Sequence, residues 1–155
     1  MQIRPSGIDD VELICRHREA MFREAGRDDT TLAEMTRSFR AWLAPRLQDD
    51  SYYGFFAVDD SQEASPVVAG IGLMSIDWPP HPSHPGQDKR GYVLNVYVEP
   101  SHRKMGLGKM LMRLAEEAFA ARGLQFAILH STAIGRELYA GMGWVPTSEM
   151  AKMLK

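Results

Sequence analysis

The chain has 155 residues, enough for one domain with a sizeable core, and its 45% hydrophobic and 9% aromatic content is that of a globular protein rather than a disordered one. A formal charge of -2 leaves small ligands of either sign open, but it weighs against broad nucleic-acid binding, which needs a basic face. The single cysteine, Cys15, excludes an internal disulfide and a thiolate metal cluster; with no apolar leader at the N-terminus and no apolar run of membrane-spanning length, a cytoplasmic protein without a membrane partner is expected.

"MQIRPS" reads as a short first strand ending at Pro5. Residues 8 to 25 read as a helix with Leu13, Ile14, His17, Ala20 and Met21 on one side, Asp9 and Asp10 near its positive end, and Cys15 as a buried, inert thiol. "RDDTTLAEMTRSFRAWLAPRL" predicts a second helix burying Leu32, Met35, Phe39, Trp42, Leu43, Arg46 and Leu47, with Thr31 and Glu34 as a capping box. "YYGFFAVDD" and "VVAGIGLMSIDW" are strand-like and separated by the polar turn "DSQEAS". "WPPHPSHPGQDKR" carries four prolines and is a surface loop. "GYVLNVYVE" is the most continuously apolar strand, which suggests a central place in the sheet, and Pro100 ends it.

A helix follows from about Gly106 to Arg122, with Leu107, Met110, Leu111, Leu114, Ala115, Ala118 and Phe119 on one face and Gly123 closing it. "LQFAILHS" predicts a strand, "IGRELYAGM" a short helix, and "WVPTSEMAKML" one or two last strands. The order β-α-α-β-β-β-α-β-α-β, without repeat or linker, implies a single α/β domain over residues 1–155, with a right-handed crossover at 92–128.

The chemistry concentrates at "HRKMGLGKM". A helix start leaves N–H groups without partners and attracts anions; Gly106 and Gly108 let a ligand approach the backbone, and Arg103, Lys104 and Lys109 add positive charge. A polyphosphate fits. The segment lacks the third glycine of a dinucleotide fingerprint and the hydroxyl of a P-loop, so neither of those motifs names it.

The longer stretch "NVYVEPSHRKMGLGKMLM" resembles the cofactor segment of the GNAT superfamily of acyl-CoA-dependent N-acetyltransferases, whose signature is Arg or Gln, two residues, Gly, one residue, then Gly or Ala. Arg103, Gly106 and Gly108 match it, and "ILHSTAIGRELYAGMGWVP" resembles the family's later "LY..LGF" segment, with Met142 and Trp144 in place of Leu and Phe. The resemblance implies a mixed, mostly antiparallel sheet flanked by helices and splayed between its fourth and fifth strands. It implies acetyl-CoA as acyl donor, with the backbone N–H groups of Lys104, Met105, Gly106, Leu107, Gly108 and Lys109 holding the pyrophosphate and Arg103 at its edge. Val96, Tyr97 and Val98 would pair with pantetheine, and Thr132 and Arg136 would lie on the same side. Thr132 stands where the family often has Asn, and Gly135 where it often has Ala. Tyr139 matches the family's general acid, which protonates the leaving thiolate.

The general base is not legible in the sequence. Candidates are His130 at the end of the fifth strand, His17 and Glu149, with a water or backbone carbonyl as further options. The resemblance places the acceptor beside the first helix, so Arg16, His17, Arg18 and Phe22 are possible selectors, with Asn95 on the central strand and Glu149 as an attractor for an ammonium group. Arginines there would suit an acceptor with a carboxylate. If the proline-rich loop folds over the cleft, it favours a small amine over a peptide. No metal is expected: among the five histidines only His81 and His84 have a helical spacing, and prolines surround them. Ser131 next to His130 does not make a nucleophile pair, because neighbours on a strand point to opposite faces. The alternatives are a non-catalytic acyl-CoA-binding regulatory module and a protein or peptide N-acetyltransferase. Edge pairing of the terminal strand would give a homodimer.

Overall fold

A computed structural model describes residues 1–154. The elements are β1 (Gln2–Pro5), α1 (Val11–Glu24), α2 (Asp29–Gln48), β2 (Tyr52–Val58), β3 (Val67–Asp77), β4 (Lys89–Val98), α3 (Leu107–Ala121), β5 (Ala127–Leu129) and α4 (Arg136–Gly141), with single 3-10 turns at Ile8–Asp10 and Pro100–His102. One five-stranded open sheet runs in the order β1-β2-β3-β4-β5; its first four strands are antiparallel and β5 joins β4 in parallel. The expected mixed, mostly antiparallel sheet flanked by helices is therefore the fold.

Each face of the sheet carries a core. On one face Leu107, Leu111, Met112, Ala115 and Phe119 of α3 pack on Ala69, Ile71, Leu73 and Val93. Leu111 is fully buried, and removing such a side chain from water contributes roughly 2 kcal/mol. On the other face Ile14 and Cys15 of α1 and Phe39, Leu43 and Leu47 of α2 close over Tyr52 and Phe56. Burial pushes the Cys15 thiol pKa up, as befits an inert thiol.

Three expectations fail, each for a local reason. The cap of α2 is Asp28, which accepts from the Thr31 backbone N–H at 2.9 Å and from its hydroxyl at 2.8 Å; a carboxylate three residues earlier outcompetes the Thr31–Glu34 box. The proline-rich loop does not reach over the central strand's far end. It folds at the opposite end of the sheet, where Gln87 Nε2 donates to the Gly123 carbonyl at 2.7 Å and Arg90 Nε donates to buried His84 at 2.8 Å. Nor do residues 144–154 form a strand: Pro146 lacks a ladder donor, β5 is only three residues long, and Val145, Met150, Met153 and Leu154 are left exposed. The terminal strand on which a homodimer was expected to pair is thus not formed.

Candidate functional site

β4 and β5 pair only at Gly91–Ala127, Tyr92–Ile128 and Val93–Leu129. From Leu94 to Val98 that edge of β4 is open, which is the expected splay. A bulge marks its start: Gly70 pairs with Tyr97 and Gly72 with Leu94, so two residues of β4 stand against Ile71 alone. The bulged Asn95 has φ of +55°, a left-handed conformation that asparagine tolerates better than most residues. Behind the bulge Asn95 Nδ2 donates to the Tyr52 hydroxyl at 3.0 Å. Tyr52 reaches that far because β3 offers Gly72 there: a Cβ on it would lie 2.0 Å from the hydroxyl oxygen.

The splay opens into a cleft of about 810 Å³. The open edge of β4 (Val96, Tyr97, Val98) forms one wall and the entrance to α3 another. That entrance is built to present donors. Lys104 (φ +62°) and Gly106 (φ +82°) turn the chain through left-handed conformations, and among the described residues the backbone N–H groups of residues 104 to 109 find no acceptor; Met110 is the first to donate, to Gly106 at 3.0 Å. Successive N–H groups at a helix start form an anion-binding concavity. A Cβ on Gly106 would meet nothing within 4 Å, so the space before the loop is open. The residues therefore fit the polyphosphate expected there. Lys104, Gly106, Leu107, Gly108 and Lys109 line the cleft, whereas the Met105 side chain points away and is 63% exposed. Arg103 also lines the cleft, but its guanidinium is already engaged: Nε donates to the Val98 carbonyl at 2.9 Å and Nη2 to Glu24 at 2.6 Å, fastening the loop to β4 and α1.

The third wall comes from the segment after β5. Thr132 and Tyr139 line the cleft; Arg136 does not. A Cβ on Gly135 would lie 2.8 Å from the Tyr139 ring, so the glycine lets the ring fold back against its own helix entrance. Desolvation raises the Tyr139 pKa, so the phenol keeps its proton at neutral pH. His130 lines the cleft as well, with Nδ1 3.1 Å from the Tyr92 hydroxyl and Nε2 against the Glu149 carboxylate. Glu149 is not itself in the cleft wall; it reaches the site through His130. Tyr92, which no sequence pattern singled out, lines the cleft beside its partner His130.

On α1 the sequence offered four selectors, and the structure separates them. Arg16 is exposed and outside the cleft. His17 is 2% exposed and packs behind Tyr97, with ring centroids 4.8 Å apart; burial, assisted by the charge of Arg16, lowers its pKa to about 4, so it is a neutral core residue and neither base nor selector. Phe22 and Arg18 do line the cleft. Arg18 Nη1 donates to Asn95 Oδ1 at 2.7 Å, so both ends of the Asn95 amide are used; Asn95, 5% exposed, lines the cleft and holds Arg18 there. Among the described residues no group of three His, Cys, Asp or Glu side chains is arranged to hold a metal ion, and no helix is long and apolar enough to cross a membrane.

Comparison with known proteins agrees with this geometry. The model of the acetyltransferase (GNAT) family matches residues 15–144. The crystal structure of a GCN5-related N-acetyltransferase from Ralstonia eutropha JMP134 is 61% identical, covers 99% of this chain and 97% of its own, and superposes with a TM-score of 0.94. A predicted acetyltransferase from Clostridium acetobutylicum, solved with acetyl-CoA, is 19% identical over 99% of this chain and 95% of its own, with a TM-score of 0.86. An aminoglycoside antibiotic 6'-N-acetyltransferase from Acinetobacter haemolyticus is 16% identical over 100% and 98% of the two chains, with a TM-score of 0.68. At those two lower identities the likeness is one of fold alone. No curated protein matches the sequence.

Proposed function

The chain belongs to the GNAT family of acetyltransferases, and on that premise we propose that it is an N-acetyltransferase moving an acetyl group from acetyl-CoA to a primary amine by direct attack in a ternary complex, the acceptor being a small molecule rather than a protein. The observation that carries this reading is the run of unpaired N–H groups at residues 104 to 109, opening into the same cleft as the Tyr139 side chain. A fold relative holding acetyl-CoA supports the choice of donor. The cleft volume of about 810 Å³ is in the range of small-molecule sites.

When bound, acetyl-CoA supplies an activated acyl group whose carbon–sulfur bond breaks as the amine nitrogen bonds to the carbonyl carbon. The chain's residues manage the two protons involved. The amine must be uncharged when it attacks: in the site its proton passes through the Tyr92 hydroxyl to His130 Nδ1, and Glu149 on Nε2 stabilises the resulting imidazolium. Tyr139, neutral in its desolvated setting, donates its proton to the departing thiolate, and the second proton shed by the acylated nitrogen passes through solvent to restore the phenol. The N–H groups of residues 104 to 109 fix the pyrophosphate, and the open edge of β4 from Leu94 to Val98 offers main-chain partners to the pantetheine arm.

The test is thiol release from acetyl-CoA with a panel of small amines and peptides, alongside calorimetry of acetyl-CoA. Binding in the micromolar range and turnover with small amines are expected. Tyr139→Phe should lower kcat roughly a hundredfold while sparing acetyl-CoA affinity, the usual scale for loss of a general acid. Absence of acetyl-CoA binding would end the proposal; turnover only on peptides would reverse the choice of acceptor.

A further inference from the structure

Resting on the acyl-transfer reading above, we propose that the acceptor is a small amino acid or amino-carboxylate, and that Arg18 binds its carboxylate. Arg18 enters from α1 the same cleft that Tyr139 of α4 lines. Its guanidinium is held before any ligand arrives. Nη1 donates to Asn95 Oδ1 at 2.7 Å, and the guanidinium carbon sits 4.9 Å from the centre of the Phe22 ring and 4.6 Å from that of Phe39. Asn95 is fixed in turn by the Tyr52 hydroxyl at 3.0 Å. A cation oriented this firmly loses little freedom on binding.

What the cation lacks is a counter-charge. Arg4, Arg23, Arg40 and Arg103 each pair with a carboxylate. Among the described residues Arg18 has no such partner within 4 Å, its Nε is buried with no acceptor, and its one side-chain hydrogen bond is the Nη1 donation to Asn95. Desolvation holds its pKa below the usual arginine value, so its surroundings oppose a charge that nothing on the protein balances. An unpaired, partly desolvated guanidinium at a cleft wall is completed by an anion on the ligand, and a planar carboxylate matches the planar fork. The Tyr92–His130–Glu149 chain of the same site takes the amine's proton, so one molecule carrying both groups satisfies both features. A polycationic acceptor would leave Arg18 facing like charge.

The experiment uses the full chain and matched pairs of free amino acids and their carboxamides, which share the amine and differ in the charge. Turnover is followed by thiol release, and affinity for the enzyme saturated with coenzyme A by calorimetry. The wild type should favour the acid over the amide by roughly ten- to a hundredfold in kcat/KM, mostly through KM, as for a charge-assisted hydrogen bond. Arg18→Gln should collapse that ratio and Arg18→Lys should retain part of it. A role confined to bracing the bulge would harm acids and amides equally and leave the ratio unchanged, which would overturn the proposal. So would wild-type indifference to the carboxylate, a preference for phosphate-bearing amines over amino acids, or a loss of acetyl-CoA affinity in Arg18→Gln with the acceptor ratio intact. The calorimetric arm separates the two readings: acid-over-amide binding without turnover supports the role of Arg18 and counts against the acetyltransferase reaction.

Discussion

Histidine 17 gives the most quantitative test of the structure, because its environment opposes protonation from every side. The ring is 2% exposed, edge-on to Phe56 and tilted against Tyr97, and Nε2 is buried without a partner. Burial first, and the neighbouring Arg16 charge second, lower its pKa from 6.5 to about 4. The unfolded chain therefore takes up this proton near pH 6.5 and the folded protein only near pH 4, so the unfolded state binds more protons throughout that window and stability falls as the pH is lowered across it. At about 1.36 kcal/mol for each pH unit, the loss attributable to His17 is on the order of 2 kcal/mol at pH 5 and about 3 kcal/mol by pH 4. Urea denaturation at pH 7 and pH 5 should show a midpoint drop on the order of 1 M, given the usual dependence for small domains. Carboxylates contribute in the lower part of the window, so the quantity to read is the difference between the wild type and His17→Phe or His17→Leu, in which this titration is absent. Whatever their absolute stability, both variants should lose about 2 kcal/mol less than the wild type between pH 7 and pH 5. Equal losses in all three proteins would refute the assignment of His17 as a neutral core residue and return it to the list of bases.

Two further substitutions probe the glycines on which the site depends. Gly72→Ala would place a Cβ 2.0 Å from the Tyr52 hydroxyl; because Tyr52 is 2% exposed and cannot swing away, the variant should lose about 3 kcal/mol by urea denaturation, and a loss below roughly 1 kcal/mol would show that the contact is soft. Gly106→Ala meets no atom within 4 Å, so its penalty is the backbone strain of φ +82° alone, about 1 kcal/mol, seen as a Tm lower by roughly 3 °C. Relaxation of that strain would turn the loop's N–H groups, so acetyl-CoA affinity measured by calorimetry should fall with it, and unchanged affinity would contradict the loop's assigned role.

Most of the fold is legible in the sequence because its elements are long and periodic: the α3 stripe from Leu107 to Phe119 and the apolar β4 strand announce themselves. The loop at residues 104 to 109 could be singled out because its glycines and basic residues are adjacent in sequence, but they matched no general nucleotide motif, and only the longer family resemblance gave them a ligand. The acceptor side is not legible, because it is assembled across distance. Arg18 meets Asn95 across 77 positions and Tyr92 meets His130 across 38. Two positions along α1 separate Arg18, which enters the cleft, from Arg16, which faces solvent. A positive φ at Asn95 has no periodic signature, and a strand-like pattern at residues 144–154 could not reveal that β5 is too short to pair with it.

The bulge connects the two halves of the site. Inserting one residue opposite Ile71 puts Leu94 and Asn95 toward the same face, so Asn95 reaches both Tyr52 and Arg18. The strand beyond it, from Val96 to Val98, has parted from β5 and keeps its main chain open for the donor. The same local deformation thus accompanies the opening of the passage proposed for the acyl donor and fixes the cation proposed to select the acceptor. Gly72 underlies the second of these, because only a residue without a Cβ lets the Tyr52 hydroxyl reach the amide that holds Arg18. A substitution on β3 that makes no contact with the cleft should therefore change acceptor preference as well as stability, which ties the sheet's packing to its chemistry.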